Sequence, residues 1–92
     1  MILVSYDISS NKTRTRFSKF LTKYGRRIQY SLFEIQNSKR VLQIILKSVE
    51  NRYKKQFELT DSILIFQITE ADEKRIIRYG YAVNEEEKLL VF

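Results

Sequence analysis

One acidic residue, Asp7, ends the mostly apolar run Met1 to Tyr6, and a stretch rich in Lys and Arg begins at Lys12. A carboxylate at the carboxyl end of a buried strand, close to basic residues, is suited to holding a divalent cation against a phosphate. Asp also commonly caps the turn or helix that follows a strand, and both interpretations of Asp7 are open at this point. Metal-dependent chemistry, if the chain performs any, is expected at this residue.

The composition excludes several other kinds of active site. The sequence contains neither His nor Cys. Without His there is no imidazole general base and no Ser–His or Cys–His pair, and without Cys there is no disulfide or thiolate metal site. The lack of Cys fits a reducing cytoplasm. We expect a cytoplasmic protein, because the apolar start lacks a basic region before it and no run approaches the roughly 18 apolar residues of a membrane span.

The net charge of +6 is unevenly distributed along the chain. Residues 1–56 carry 13 Lys or Arg and three acids, a net charge of +10, whereas residues 57–92 carry four basic and eight acidic residues, a net charge of −4. A basic amino-terminal half indicates a face for a polyanion, and the acidic remainder indicates a second face for another partner.

Apolar residues at helical spacing predict a first helix from Lys12 to Tyr24, capped within residues 9–11 and followed by Gly25. Arg14 lies beside the apolar edge of this helix, nearer the sheet and Asp7. A second stripe on this helix faces outward. Either a solvated face or a phosphate-binding face is compatible with it. Its members are Lys12, Arg16, Lys19 and Lys23.

The remaining elements follow from the same periodicities. The segment Arg26 to Gln36 is predicted to be extended, with a bulge or a tight hairpin near Tyr30 to Leu32. Lys39 to about Phe57 is predicted to be a helix, Ser62 to Thr69 a strand in the middle of a sheet, and Ala71 to Tyr79 a short helix. The predicted buried stripe of the second helix comprises Val41, Leu42, Ile45, Leu46, Val49 and Tyr53.

This order of elements predicts an α+β, ferredoxin-like sandwich with an antiparallel sheet and two helices on one face. We expect this domain to cover residues 1–80. Residues 81–92 join the acidic run Glu85–Glu87 to the apolar end Leu89–Phe92 and are expected to form an appended C-terminal strand for dimer or partner contact. A chain of 92 residues has a small core, which favours a dimer that buries further surface.

An ordered set of short motifs resembles a known family, the small CRISPR-associated Cas2 proteins, which are the non-integrase subunit of the spacer-acquisition complex. The motifs are Tyr6-Asp7 at the end of the first strand, the basic helix, Tyr24-Gly25, and Arg27-Ile28-Gln29-x-Ser31-x-Phe33-Glu34. The resemblance covers residues 1–36 closely and the rest in length and order of elements. The first helix departs from the family in mixing Lys, Arg and Thr.

The resemblance implies a homodimer that binds duplex DNA and bridges Cas1 integrase subunits during spacer acquisition. It also implies the Mg²⁺-dependent endonuclease activity of some members on single-stranded RNA or duplex DNA. In this activity Asp7 would be the catalytic residue and metal ligand, and the Asp7 of the second copy would face it. A stand-alone, toxin-like endoribonuclease of similar fold is the alternative. Together the resemblance and the basic stripe give the expected nucleic-acid-binding residues: Tyr6, Lys12, Arg14, Arg16, Lys19, Lys23, Arg27 and Phe33.

Overall fold

A computed structural model describes residues 1–80 of the protein. The predicted C-terminal strand, within residues 81–92, lies outside the described residues. The elements in chain order are β1 (Ile2–Asp7), α1 (Asn11–Thr22), β2 (Gly25–Gln29), β3 (Leu32–Ile35), α2 (Lys39–Ser48), β4 (Ser62–Gln67) and α3 (Glu70–Glu73). The last helix is therefore much shorter than predicted. None of the helices in residues 1–80 is long and apolar enough to cross a membrane.

The four strands form one antiparallel sheet in the order β2-β3-β1-β4. Each of the helices α1 and α2 connects two parallel strands with a third strand between them, which is the split arrangement of the ferredoxin-like fold and confirms the predicted class. Of the two predicted alternatives, the tight hairpin is present, since β2 turns into β3 at residues 30–31. A bulge occurs earlier in β2, where the pairing shifts between Arg27 and Gln29.

The prediction that Ser62 to Thr69 forms a middle strand is wrong for this sheet. Among the described residues β4 pairs with β1 alone and lies at the edge. Its two apolar faces have different surroundings. Ile63 and Ile65 pack against the core beneath the helices, whereas Leu64 and Phe66 point to the other face and are 55% and 44% exposed.

The core lies between the inner face of the sheet and the two long helices. Alternate residues of β1 point into it, and Phe17 of α1 and Ile45 of α2 are fully buried against them. Leu46, which was predicted to be buried, is 39% exposed, because it lies at the flank of the apolar stripe of α2. The buried cluster contains Ile2, Val4, Tyr6, Ile8, Phe17, Leu21, Phe33, Ile35, Val41, Leu42, Ile45 and Tyr53.

Gly25 has a different role from the helix-ending one that was predicted. It is the first residue of β2, opposite Ile35 of β3. A Cβ atom at this position would collide with the backbone of Glu34 and Ile35. The close approach of two strands therefore requires glycine here.

Candidate nucleic-acid interface

The amino terminus of α1 is capped by Ser10, whose Oγ accepts a hydrogen bond from the backbone N–H of Thr13 at 3.3 Å. The interpretation of Asp7 as the cap of this helix is therefore wrong. The four cations of the predicted stripe are all exposed along the outer side of α1, as expected. They are Lys12, Arg16, Lys19 and Lys23.

The two flanks of α1 face different parts of the fold. Thr13, on one flank, donates a hydrogen bond to Gln56, which lies in the helical turns that follow α2. This flank therefore faces the end of α2. Ser18, on the other flank, accepts a hydrogen bond from Arg27 of β2. Helical periodicity places Arg16 on the flank near α2 and Arg14 on the flank near β2.

Arg14 closes the connection between β1 and α1. Its Nη1 donates to the carbonyl oxygens of Ile8 at 2.9 Å and Ser9 at 3.5 Å, and its Nη2 donates to the side chain of Asn11. These bonds use much of its donor capacity within the loop. Arg14 therefore has a structural role that the sequence did not reveal, and its contact with nucleic acid stays a prediction.

Arg27 is half-buried between α1 and the sheet. Its Nη2 donates to Ser18 Oγ at 2.7 Å, and its guanidinium lies over the ring of Phe33, 5.2 Å from the centroid. Its Nε is buried without a hydrogen-bond partner among the described residues. Arg27 thus contributes a cation to the recess beside α1. A cavity of about 260 Å³ there is lined by Tyr6, Arg14, Thr15, Ser18, Arg27 and Tyr30.

Two aromatic residues of the predicted set belong to the core. Tyr6 is 5% exposed and packs edge-on against Phe17 with centroids 5.3 Å apart, and Phe33 is 1% exposed. Neither ring has an open face on which a base could stack. The expectation that Tyr6 and Phe33 contact nucleic acid directly receives no support from their positions. Their burial follows from strand alternation, because both point towards the helices.

Asp7 is exposed, and it lies on the sheet face opposite the helices. Alternation along β1 points Ile2, Val4 and Tyr6 inward, so Asp7 points outward with Leu3 and Ser5. The expected arrangement of this carboxylate facing the basic helix is therefore wrong. Within residues 1–80 no group of three or more acidic side chains is placed to hold a metal ion. The described part of a single chain thus offers Asp7 no cluster of three acidic ligands.

An acidic residue that sequence analysis missed, Asp61, organises the end of the sheet near Asp7. Its Oδ1 accepts hydrogen bonds of 2.9 Å from both the N–H and the Oγ of Ser9, and its Oδ2 accepts one of 2.9 Å from the N–H of Glu58. The bonds from the two backbone N–H groups, with that from the Ser9 hydroxyl, hold the pKa of Asp61 below its ordinary value. Asp61 thereby ties the β1–α1 loop to the turn before β4.

This network predicts acid sensitivity. Since the folded-state pKa is lowered, the stabilisation is complete above the unfolded pKa of about 3.9 and is lost as pH falls through the folded value. We expect Asp61→Asn to lower the melting temperature at pH 7, and the deficit to shrink towards pH 3. Melting curves across this range check it, with Asp72→Asn on α3 as the control. A deficit that is independent of pH would contradict the role of the Asp61 charge.

An apolar surface occupies the outer face of the sheet, opposite the helices. The half-buried Leu3 of β1 lies beside Phe66 of β4, and Leu64 lies two residues before Phe66 on the same face. Leu64 and Phe66 are among the exposed large apolar residues of the described chain. We call Leu3, Leu64 and Phe66 the outer apolar patch. It shares its face with Asp7, on the side of the molecule away from the basic stripe.

Comparisons with known proteins agree with this fold. The chain is similar to a hypothetical protein from Thermus thermophilus, at 28% identity and a TM-score of 0.61, over 74% of this chain and 79% of that one. Cas2 of Streptococcus pyogenes shares the fold at 23% identity and a TM-score of 0.68, over 86% and 98% of the two chains. A chain of a partial Cas6-RT-Cas1–Cas2 complex is similar at 26% identity and a TM-score of 0.70, over 90% and 94%.

A comparison with curated proteins found no match. The family model described as CRISPR associated protein Cas2, in contrast, matches residues 1–76, which is most of the 92-residue chain. This extent includes the strand end at Asp7, the basic helix and all four strands of the sheet. The chain therefore belongs to the CRISPR-associated Cas2 family.

Proposed function

We propose that this protein is a CRISPR adaptation subunit that works as a homodimer, binds duplex DNA through its helical face and bridges Cas1 integrase subunits. Family membership supports the adaptation role, and a similar chain occurs in a complex with Cas1. The finer claims rest on the distribution of charge and apolar surface in the described residues. A Cas1-binding role for the acidic, apolar-ended segment 81–92 rests on its sequence alone.

The observation that carries the proposal is the exposed stripe on α1. Among residues 1–80, no carboxylate lies within ion-pair distance of Lys12, Arg16, Lys19 or Lys23. Cations left unpaired on one side of a helix produce a positive field that attracts the phosphates of a duplex. The outer apolar patch is on the opposite side of the molecule, so a second copy can cover it without covering the stripe.

Removing two cations of the stripe should weaken duplex binding irrespective of base sequence. In Arg16→Ala/Lys19→Ala, the slope of log K against log salt should flatten by about two units, because each lost phosphate contact removes about 0.9. Fluorescence anisotropy of a labelled duplex at several salt concentrations measures this slope.

The control is Lys74→Ala/Arg75→Ala, which removes the same two residue types from the exposed segment after α3. Its slope should equal that of the wild type. Equal slopes in the wild type and in the Arg16/Lys19 variant would show that the stripe is merely solvated and would contradict the proposed duplex-binding face.

A second candidate function, a Mg²⁺-dependent phosphodiesterase, is favoured by the exposure of Asp7 on the same face as the outer apolar patch. One chain alone does not fit a magnesium site, since residues 1–80 contain no group of three or more acidic side chains placed to hold the ion. Two copies that pack through this face would bring two Asp7 carboxylates to one interface, as the family resemblance implies. Mg²⁺ bound between them would stabilise the negative charge that develops on a phosphate.

A further inference from the structure

The helix α2 does not end at Ser48 but continues through a π-helical turn, Val49–Tyr53, and a short 3₁₀ turn, Lys54–Gln56. A π turn contains one more residue per turn than an α-helix and changes the direction of every side chain that follows. Such turns often occur at functional sites.

Arg52 and Tyr53 are neighbours in the π turn with different surroundings. In an uninterrupted α-helix, Arg52 would lie three turns after the buried Val41 and Tyr53 three turns after the buried Leu42, so both would border the buried side. Within the π turn, Tyr53 is 2% exposed, as the sequence predicted, and Arg52 lies on the surface. Its guanidinium lies over the Tyr53 ring, 5.6 Å from the centroid.

Tyr53 brings this turn against the flank of α1 that carries Arg16. Its ring lies 4.9 Å from that of Phe17 and 5.5 Å from that of Phe20, measured between centroids. One turn away, Thr13 Oγ1 donates to Gln56 Oε1 at 3.3 Å. Arg16 shares this flank of α1, so it lies beside the contact with the turn.

The titration of Tyr53 agrees with this placement. Burial raises the pKa of its phenol, and the positive charges of Arg52 and Arg16 oppose that rise. Both guanidinium groups therefore act on the same hydroxyl, from two different helical segments. Neither has an ion pair among residues 1–80, whereas nearby Lys54 is paired with Glu50 at 3.3 Å.

We infer that Arg52 is a further phosphate-contacting residue, and that with Arg16 it extends the duplex-binding surface from α1 onto the π turn of α2. This rests on the proposed function. Two exposed cations without ion pairs that flank one aromatic contact repel each other, and a bound polyanion removes that repulsion. Arginine suits the position because its planar guanidinium presents several donors to phosphate oxygens.

The test compares Arg52→Ala with Arg40→Ala in duplex binding. Arg40 is an exposed arginine near the start of the same helix, about 18 Å from Arg52 at a rise of 1.5 Å per residue, beyond the Debye length of about 8 Å at physiological salt. We expect Arg52→Ala to flatten the salt slope by about 0.9, Arg52→Lys to retain the slope, and Arg40→Ala to leave it unchanged. The Arg16→Ala and Arg52→Ala changes in slope should add.

The outcomes separate this inference from the proposed function. If the wild type binds the duplex and Arg52→Ala leaves the salt slope unchanged, the inference about Arg52 is overturned and the proposed function is not. Equal flattening by Arg52→Ala and Arg40→Ala overturns it too, because the effect would then reflect net charge. Absence of salt-dependent duplex binding by the wild type overturns both. Thermal melting shows whether each variant is folded. A lost slope that Arg52→Lys fails to restore in a folded protein also contradicts the inference.

Discussion

Protein carrying Asp7→Ala should lose magnesium-dependent phosphodiester cleavage, by at least about a hundredfold, and keep its affinity for duplex DNA. A metal ion contributes several kcal/mol of transition-state charge stabilisation, and each 1.36 kcal/mol is a factor of ten in rate. Duplex affinity should persist, because Asp7 points away from the helices and the basic stripe lies on the other side of the sheet. Cleavage of labelled RNA and duplex DNA, with Mg²⁺ or with chelator, measures the first effect.

The matched control is Asp72→Ala, which removes an exposed carboxylate from α3. It should cleave like the wild type. Wild-type protein that cleaves neither substrate beyond the chelator blank would contradict the phosphodiesterase and leave the proposed scaffold intact. Loss of spacer integration by Asp7→Ala with cleavage unaffected would contradict this division of roles.

The double substitution Leu64→Ser/Phe66→Ser should convert the proposed dimer to monomer. In a two-fold symmetric interface each substitution counts twice, so four apolar side chains are lost. Each is about half exposed in the single chain. Burying the exposed half of one such side chain stabilises the dimer by about 0.75–1.5 kcal/mol. Four side chains together contribute about 3–6 kcal/mol, so their loss should raise the dissociation constant about 10²- to 10⁴-fold.

Sedimentation velocity over a range of protein concentrations measures this shift. Leu59→Ser is the control, because Leu59 is fully exposed in the turn before β4. It should dimerise like the wild type. A double variant that remains dimeric would show that another surface forms the dimer. Since the proposed metal site needs two copies of Asp7, the monomeric variant should also lose cleavage while Leu59→Ser retains it.

The sequence predicted the features that depend on local periodicity. The stripe from Lys12 to Lys23 is exposed, and the hairpin of β2 and β3 is present, because helical and strand repeats fix which side chains share a face. The outward direction of Asp7 was available from the same alternation, since Tyr6 before it is apolar and buried. The position of β4 at the edge of the sheet formed by residues 1–80 was not available, because strand order is set by long-range pairing.

The burial of Tyr53 was predicted from helical spacing, but the π turn around it was not. A count of 3.6 residues per turn places Arg52 as well as Tyr53 beside the buried stripe, and the π turn has no composition signature in Val49–Tyr53. The hydrogen bonds of Asp61 could not be predicted from local sequence, because its partner Ser9 is 52 residues away in the chain. Both features depend on packing between segments that are distant in sequence.

The central position of β1 determines when the fold can form during synthesis. β1, which is synthesised before the other three strands, pairs with β3 on one side and with β4 on the other, and the register with β4 ends at Gln67. A nascent chain that ends before Ser62 therefore has α1 and α2 but lacks Ile63 and Ile65 over the core. Folding of the sheet is expected to be completed only after β4 has been synthesised, and truncations before β4 should expose the inner sheet face to chaperones and proteases.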